Sequence, residues 1–298
     1  MPQLNRRHFL KTATAASLAT SGMAAHADAK TGRPQIYLFE KSVQSLPPDQ
    51  LTVVLAEAGF DGIEATIRKG GRISPNNAKD QLPPLVEALA ERDLKVGILA
   101  TDIGSINHPN AREILTTAAR LGITQYRLGH WKYHSRLLMD DQLKQFRDQI
   151  EDIAKLSRET GMTALIQNHA GSNSVGAPIW DLDLLLDGIS PKEVAVAYDI
   201  RHAMIEGTTA WATNWRRIRA HIQCVYVKDF IFNGIRAKNV PIGEGVVGKA
   251  FYQLLKKERW TGPISIHTPW FKPSQPWNKR EIIETLAQEV QQVRERMA

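Results

Sequence analysis

From residue 35 onward, short apolar runs alternate with longer amphipathic segments eight times, and few folds can accommodate that order. Residues 35–39, 62–66, 95–101, 125–128, 163–167, 194–198, 222–227 and 263–267 read as strands. The segments 49–58, 78–92, 110–121, 140–159, 180–187, 209–221, 248–257 and 280–297 space apolar residues as helices do, the first with an acidic cap at Asp49. Most strands are near-continuous apolar runs, such as KVGILAT at 95–101 and VAVAY at 194–198. Strands buried on both faces, as in a parallel sheet covered by helices, read this way. Eight such units predict an α/β protein closed into a single (β/α)8 TIM barrel. An open doubly wound sheet would carry a Gly-rich phosphate loop after its first strand, and the EKSVQ that follows Phe39 is not one. With 298 residues, 43% of them hydrophobic, the chain can fill one such core.

Ahead of the repeats, Asn5-Arg6-Arg7-His8-Phe9-Leu10-Lys11 precedes a weakly apolar, Ala-rich stretch that runs to Ala25. A basic start, a modest apolar region and small residues before a cut define an export signal, and paired arginines followed by Phe-Leu-Lys resemble the twin-arginine type. Ala27 and Ala29 each have Ala two residues before them, so either fits as the last residue removed. The expected plan is a signal over 1–29 and a barrel over 30–298, in the periplasm or secreted. The apolar stretch is too short and too rich in Ala, Ser and Thr to span a bilayer, so stable membrane insertion is not expected.

The formal charge of +7 first suggests a nucleic-acid partner. Residues 1–29 hold three basic residues and one acidic one of the totals of 38 and 31, which leaves +5 for the rest. That charge is dispersed, with no Lys/Arg run and no basic-aromatic interleaving along a helix, so no nucleic-acid partner is expected. Cys224 is the only cysteine, which excludes an intramolecular disulfide and a Cys-rich zinc site; its apolar surroundings predict a buried thiol.

Barrel chemistry is built at the C-terminal ends of the strands. Those positions hold Glu40, Glu64, Thr101 with Asp102, Arg127 with His130, Gln167 with His169, Asp199 with His202, Lys228 with Asp229, and His267. Ionisable groups therefore converge on one rim and predict a polar, ligand-binding cup. Trp131, Trp180 and Trp270 fall in or near loops after strands, where each can stack on a sugar or pack as ordinary core.

The segments GFDGIE at 59–64, QNH at 167–169, YDIRHA at 198–203, VKD at 227–229 and GEG at 243–245 resemble, in order and spacing, the sugar phosphate isomerase/epimerase group of xylose isomerase-like barrels. The resemblance covers most of residues 35–270. It implies a divalent metal (Mn, Mg or Zn) held by Glu, Asp, His and Glu on strands five to eight. That metal would polarise a sugar carbonyl while two acidic residues move a proton through an enediol. Asp199 matches, but Gln167, Tyr226 and His267 stand where Glu, His and Glu are expected. A metal bound by Asp199 and His267 with an oxygen from Gln167 remains the altered version of that site. Glu64, His169, His202, Lys228 and His267 are the candidate catalytic groups. Arg127, His130, Arg201, Glu244 and Trp270 are the candidate substrate-binding groups. In the resemblance, the His that follows the strand-six Asp, here His202, contacts sugar hydroxyls.

The leading expectation is a carbohydrate isomerase or epimerase that abstracts a proton next to a carbonyl. A lyase or hydrolase of keto-glycosides, or a sugar-binding barrel that has lost catalysis, are the alternatives. The endonuclease branch of the same superfamily needs many metal ligands, and the changes at 167, 226 and 267 argue against it. Export favours free sugars over sugar phosphates, and self-association into a homo-oligomer stays open.

Overall fold

The computed structural model describes residues 32–298, so the signal expected over 1–29 lies outside the described residues. Eight parallel strands close the barrel: β1 (Ile36–Phe39), β2 (Gly62–Ile67), β3 (Lys95–Thr101), β4 (Gln125–Arg127), β5 (Thr163–Gln167), β6 (Val194–Asp199), β7 (Ile222–Val227) and β10 (Ile264–Ile266). Each pairs with its neighbours in sequence, and β10 closes on β1 through Ile36 opposite Ile264. The outer layer consists of α1 (Pro48–Ala58), α2 (Ala78–Ala90), α3 (Ala111–Arg120), α4 (Met139–Thr160), α5 (Trp180–Leu186), α6 (Ile200–Gly207), α7 (Trp211–Ile218), α8 (Lys249–Lys257) and α9 (Lys279–Met297). Among the described residues no helix is long and apolar enough to cross a membrane.

Three local features differ from the sequence reading. The first helix opens with Pro47 as its cap and Pro48 at its first position, so its fixed backbone angle starts the helix and Asp49 is already inside. α6 follows β6 directly, because Asp199 both ends the strand and caps the helix, its carboxylate accepting from the His202 backbone N–H at 3.1 Å. Residues 229–240 form an antiparallel hairpin, β8 (Asp229–Asn233) and β9 (Arg236–Val240), outside the barrel sheet. Its short polar second strand carries little apolar signal.

The period-2 geometry of the strands places the site. On β6, Val194, Val196 and Tyr198 pack in the cluster beneath the helices, and Ala195 and Ala197 join the smaller cluster inside the barrel. The same parity holds on β5, β7 and β1, which send Leu165, Cys224 with Tyr226, and Tyr37 inward. Continuing each inward series by two residues toward the strand end reaches Gln167, Asp199, Lys228 and Phe39. Inside, the Tyr37 ring crosses Gly97 so closely that a Cβ there would lie 2.0 Å from it, which is why β3 carries glycine at its middle. Cys224 is fully buried in this interior, and burial pushes its thiol well above the usual range, so it is inert.

Candidate active site

Two buried ion pairs form the floor of the cup. Glu64, with no exposed surface, accepts from Tyr226 Oη at 2.9 Å, Ser265 Oγ at 2.7 Å and His267 Nε2 at 3.2 Å, and lies 3.1 Å from Arg127 Nε. Burial opposes its ionisation, but the His267 hydrogen bond and the Arg127 charge outweigh it and hold the carboxyl down at about 2. Asp199, equally buried, meets Lys228 Nζ at 2.7 Å and accepts from Gln167 Nε2 at 2.7 Å. Burial again opposes the charge, and His202 and Lys228 beside it keep the carboxyl well below the usual range. Gln167 joins the two pairs, since its Oε1 accepts from Arg127 Nη1 at 2.6 Å. Asn168 locks β5 to β6, its Oδ1 accepting from the Asp199 N–H at 2.7 Å and its Nδ2 donating to the Asp199 carbonyl at 3.0 Å.

Three imidazoles follow one another along the wall. The ring centres of His130 and His169 are 4.7 Å apart, and those of His169 and His202 are 3.9 Å apart. Their partners fix the tautomers. His169 Nδ1 faces the Ala170 carbonyl at 2.9 Å and must carry the hydrogen, which leaves a lone pair on Nε2. His202 Nδ1 accepts from Arg201 Nη1 at 3.2 Å, so Nε2 carries the hydrogen, and that buried atom has no hydrogen-bond partner among the described residues. His267 donates from Nε2 to the Glu64 carboxylate, so its lone pair is on Nδ1.

His202 and His267 are both 4% exposed, and burial depresses the proton affinity of each below the ordinary histidine value of 6.5. The unfolded chain then binds these protons more readily than the folded one, so stability falls as pH drops below about 6.5. Urea unfolding midpoints should decline from about pH 7 to about pH 5.5, and His202→Gln should flatten that decline. A midpoint constant across this range would mean that these imidazoles titrate alike in the folded and the unfolded chain, and a midpoint that rises would mean that they are already protonated in the fold.

The cup is a cavity of about 660 Å³. It brings together His169, His202, Lys228, His267, Arg127, His130, Arg201 and Gln167 from the sequence reading. Glu64 and Asp199 lie behind its wall. Two expected binding residues fall elsewhere. Glu244 is exposed on the loop after β9, outside the cavity lining. That loop is tied to Asp229, whose carboxylate accepts from the N–H groups of Gly243, Gly245 and Val247. A Cβ at Gly245 would lie 2.1 Å from Asp229 Oδ1, so the GEG motif serves this close approach. Trp270 packs against the core while its neighbour Phe271 lines the cup. Trp131 donates to the Gly104 carbonyl and stacks on Phe146, and Trp180 lies under Arg217, so the cup aromatics are Phe39 and Phe271.

The side chains present do not fit the divalent metal that the resemblance implies. Asp199 Oδ2 and Gln167 Oε1 are occupied by Lys228 and Arg127, and His267 is turned to Glu64. A divalent ion here would sit beside two buried cations. Among the described residues no group of three or more His, Cys, Asp or Glu side chains is placed to hold a metal.

Arg68, Lys41 and Asn239 also line the cup and were missed from sequence. For Arg68 a signal existed, since it continues the inward series Glu64, Thr66 on β2 by two residues. Asn239 lies on β9 of the unforeseen hairpin.

A closed parallel barrel with its polar groups gathered at one end defines the class. Residues 53–292 match the xylose isomerase-like TIM barrel family, and the chain belongs to it. No curated protein matches the sequence. Among solved structures, the fold is similar to a putative xylose isomerase from Rhodospirillum rubrum, with TM-score 0.68, 12% identity and coverage of 88% of this chain and 99% of the other. It is also similar to a probable 3-DHS dehydratase from Bacillus anthracis, with TM-score 0.66, 15% identity and coverage of 86% and 97%. A 3-keto-D-glucoside 4-epimerase from E. coli gives TM-score 0.65, 15% identity and coverage of 88% and 100%.

Proposed function

We propose that this protein is a carbohydrate-active enzyme that removes a proton next to a substrate carbonyl, as an isomerase, epimerase or lyase of sugars or keto-sugars. The observation that carries this reading is the pattern of lone pairs and N–H groups at the cup floor. His169 Nε2 is a lone pair in a half-buried ring, and beside it two cup-lining donors face Asp199 Oδ2, His202 Nε2 at 3.7 Å and Lys228 Nζ at 2.7 Å. In the proposed step His169 Nε2 takes the proton from the carbon next to the carbonyl. The electron pair moves through the new C=C bond onto the carbonyl oxygen. Lys228 and His202 donate to that oxyanion, the part a Lewis acid would otherwise play. Return of the proton to the former carbonyl carbon, while the neighbouring hydroxyl passes its proton to the oxyanion, isomerises the sugar; return to the other face of the first carbon epimerises it, and departure of a substituent with its electron pair from the next carbon eliminates it. An epimerase and a probable dehydratase among the similar barrels represent two of these outcomes. The paired-arginine signal extends the proposal to a periplasmic or secreted enzyme.

The test is solvent-deuterium incorporation into a panel of aldoses, ketoses and 3-keto-glucosides, followed by NMR on chelator-treated protein. At least one substrate should acquire deuterium next to its carbonyl. His169→Ala should slow this by roughly 10²–10⁴-fold with the fold intact. A second reading, a sugar-binding barrel without catalysis, is favoured by the commitment of both floor carboxylates to ion pairs. Ligand binding with no exchange in any compound would select it.

A further inference from the structure

Among the described residues six cationic side chains line the cavity, Lys41, Arg68, Arg127, Arg201, Lys228 and Lys272, and no carboxylate does. Arg127 and Lys228 are neutralised by Glu64 and Asp199 behind the wall, and the other four have no ion-pair partner among the described residues. The sharpest concentration of this charge is at Phe39. The guanidinium carbons of Arg68 and Arg127 lie 5.4 and 5.1 Å from the centre of that one ring. Arg127 is 3% exposed, and its Nη2 is buried with no hydrogen-bond partner among the described residues. Arg68 is half-buried, and no carboxylate or carbonyl among the described residues accepts from its side chain. Four residues on, Arg72 is spent on Glu40 and two backbone carbonyls, so an unclaimed guanidinium at Arg68 is not a general property of this loop.

We infer that the substrate carries an anionic oxygen group, a carboxylate or a phosphate, and that Arg68 and Arg127 together receive it. This rests on the reading of the cup as the site of a carbohydrate derivative. Glu64 already balances Arg127, so the uncompensated charge of the two is that of half-buried Arg68, and an anion beside it removes the cost of leaving that charge unpaired. Guanidinium forks match the planar oxygens of carboxylate and phosphate, and the unpartnered Nη2 of Arg127 is a donor for such an oxygen. Burial and the neighbouring Arg127 charge depress the proton affinity of Arg68, and the carboxylates of Glu64, Asp102 and Glu40 only partly offset them. A neutral sugar offers hydroxyls, which cannot neutralise Arg68. The anion would anchor one end of the substrate beside Phe39, and the carbonyl end would lie toward Lys228 and His202. Thus Arg68 is a specificity determinant and takes no part in proton transfer.

The test is calorimetric titration of the full chain and its Arg68→Gln variant with inorganic phosphate, D-glucuronate and D-glucose, at fixed ionic strength in chloride. Phosphate, glucuronate or both should bind, and D-glucose should not displace them. Arg68→Gln should weaken that binding roughly 10–100-fold. Arg236→Gln, on the exposed hairpin away from the cup, should bind as the parent does. Binding of phosphate alone indicates a phosphate ester, and binding of glucuronate alone indicates a sugar acid. Absence of binding by either anion, or unchanged binding in Arg68→Gln with native circular dichroism, overturns the inference. Anion binding needs no turnover, so it and deuterium exchange fail separately. Binding without exchange leaves an acid-binding barrel, and exchange on a neutral sugar without anion binding leaves the enzyme with a different substrate.

Discussion

Replacing Lys228 by methionine is expected to slow solvent-deuterium exchange by roughly 10²–10³-fold, the loss typical when one donor to a developing oxyanion is removed. Lys228 is well placed for that role. It follows the inward residues Cys224 and Tyr226 of β7 by parity and lines the cup with its Nζ 2.7 Å from Asp199. Burial lowers its proton affinity while the Asp199 carboxylate opposes that, and the net lowering makes the ion-paired ammonium a better proton donor to an enolate oxygen. Methionine preserves the packing and removes the charge, which leaves Asp199 unpaired in the floor. The companion Lys228→Met/Asp199→Asn removes both charges and should recover stability without recovering exchange. An exchange rate within about threefold of the parent in both variants would remove Lys228 from the mechanism.

Glu64→Ala is expected to cost roughly 3–5 kcal/mol of folding stability, read from urea unfolding. Its carboxylate holds Tyr226, Ser265, His267 and Arg127, drawn from three other strands, and nothing else in the floor replaces it. Truncation leaves a buried guanidinium without counter-charge and three donors without an acceptor. Adding Arg127→Met should cost less than the two single changes together, because the unpaired charge is then gone. The pH dependence has a definite sign. The folded carboxyl is held at about 2 against an ordinary 4.5, so the stability it contributes is complete above about pH 4.5 and is lost as pH falls toward 2. A loss below about 1 kcal/mol in Glu64→Ala would show that the pair is solvated and contributes little. Glu64 is thus a positioning residue. It sets the orientation of His267 and Arg127 and does not face the cavity.

The architecture was legible because burial on both faces leaves an apolar run, and eight such runs separated by helical spacing can be read along one dimension. Most of the rim was legible for the same reason. Strand ends are local features, and His169, His202, Lys228 and His267 follow apolar runs within one to four residues. What the sequence could not decide was which polar groups meet. Glu64 and Ser265 are 201 residues apart, and Glu64 and Tyr226 are 162 apart, yet both pairs are hydrogen-bonded. Barrel closure through β1 and β10 creates these contacts, and no local pattern encodes them. The same closure converted the expected metal ligands Gln167, Asp199 and His267 into partners of Arg127, Lys228 and Glu64. It also left Glu244 and Trp270 outside the cup and brought Arg68 into it. Sequence alone determined that this chain is a barrel with a polar rim, because burial and periodicity act within one strand and one helix at a time. Only the tertiary structure decided the charge of the cup, because that depends on which carboxylates lie behind its wall and which cations face its opening.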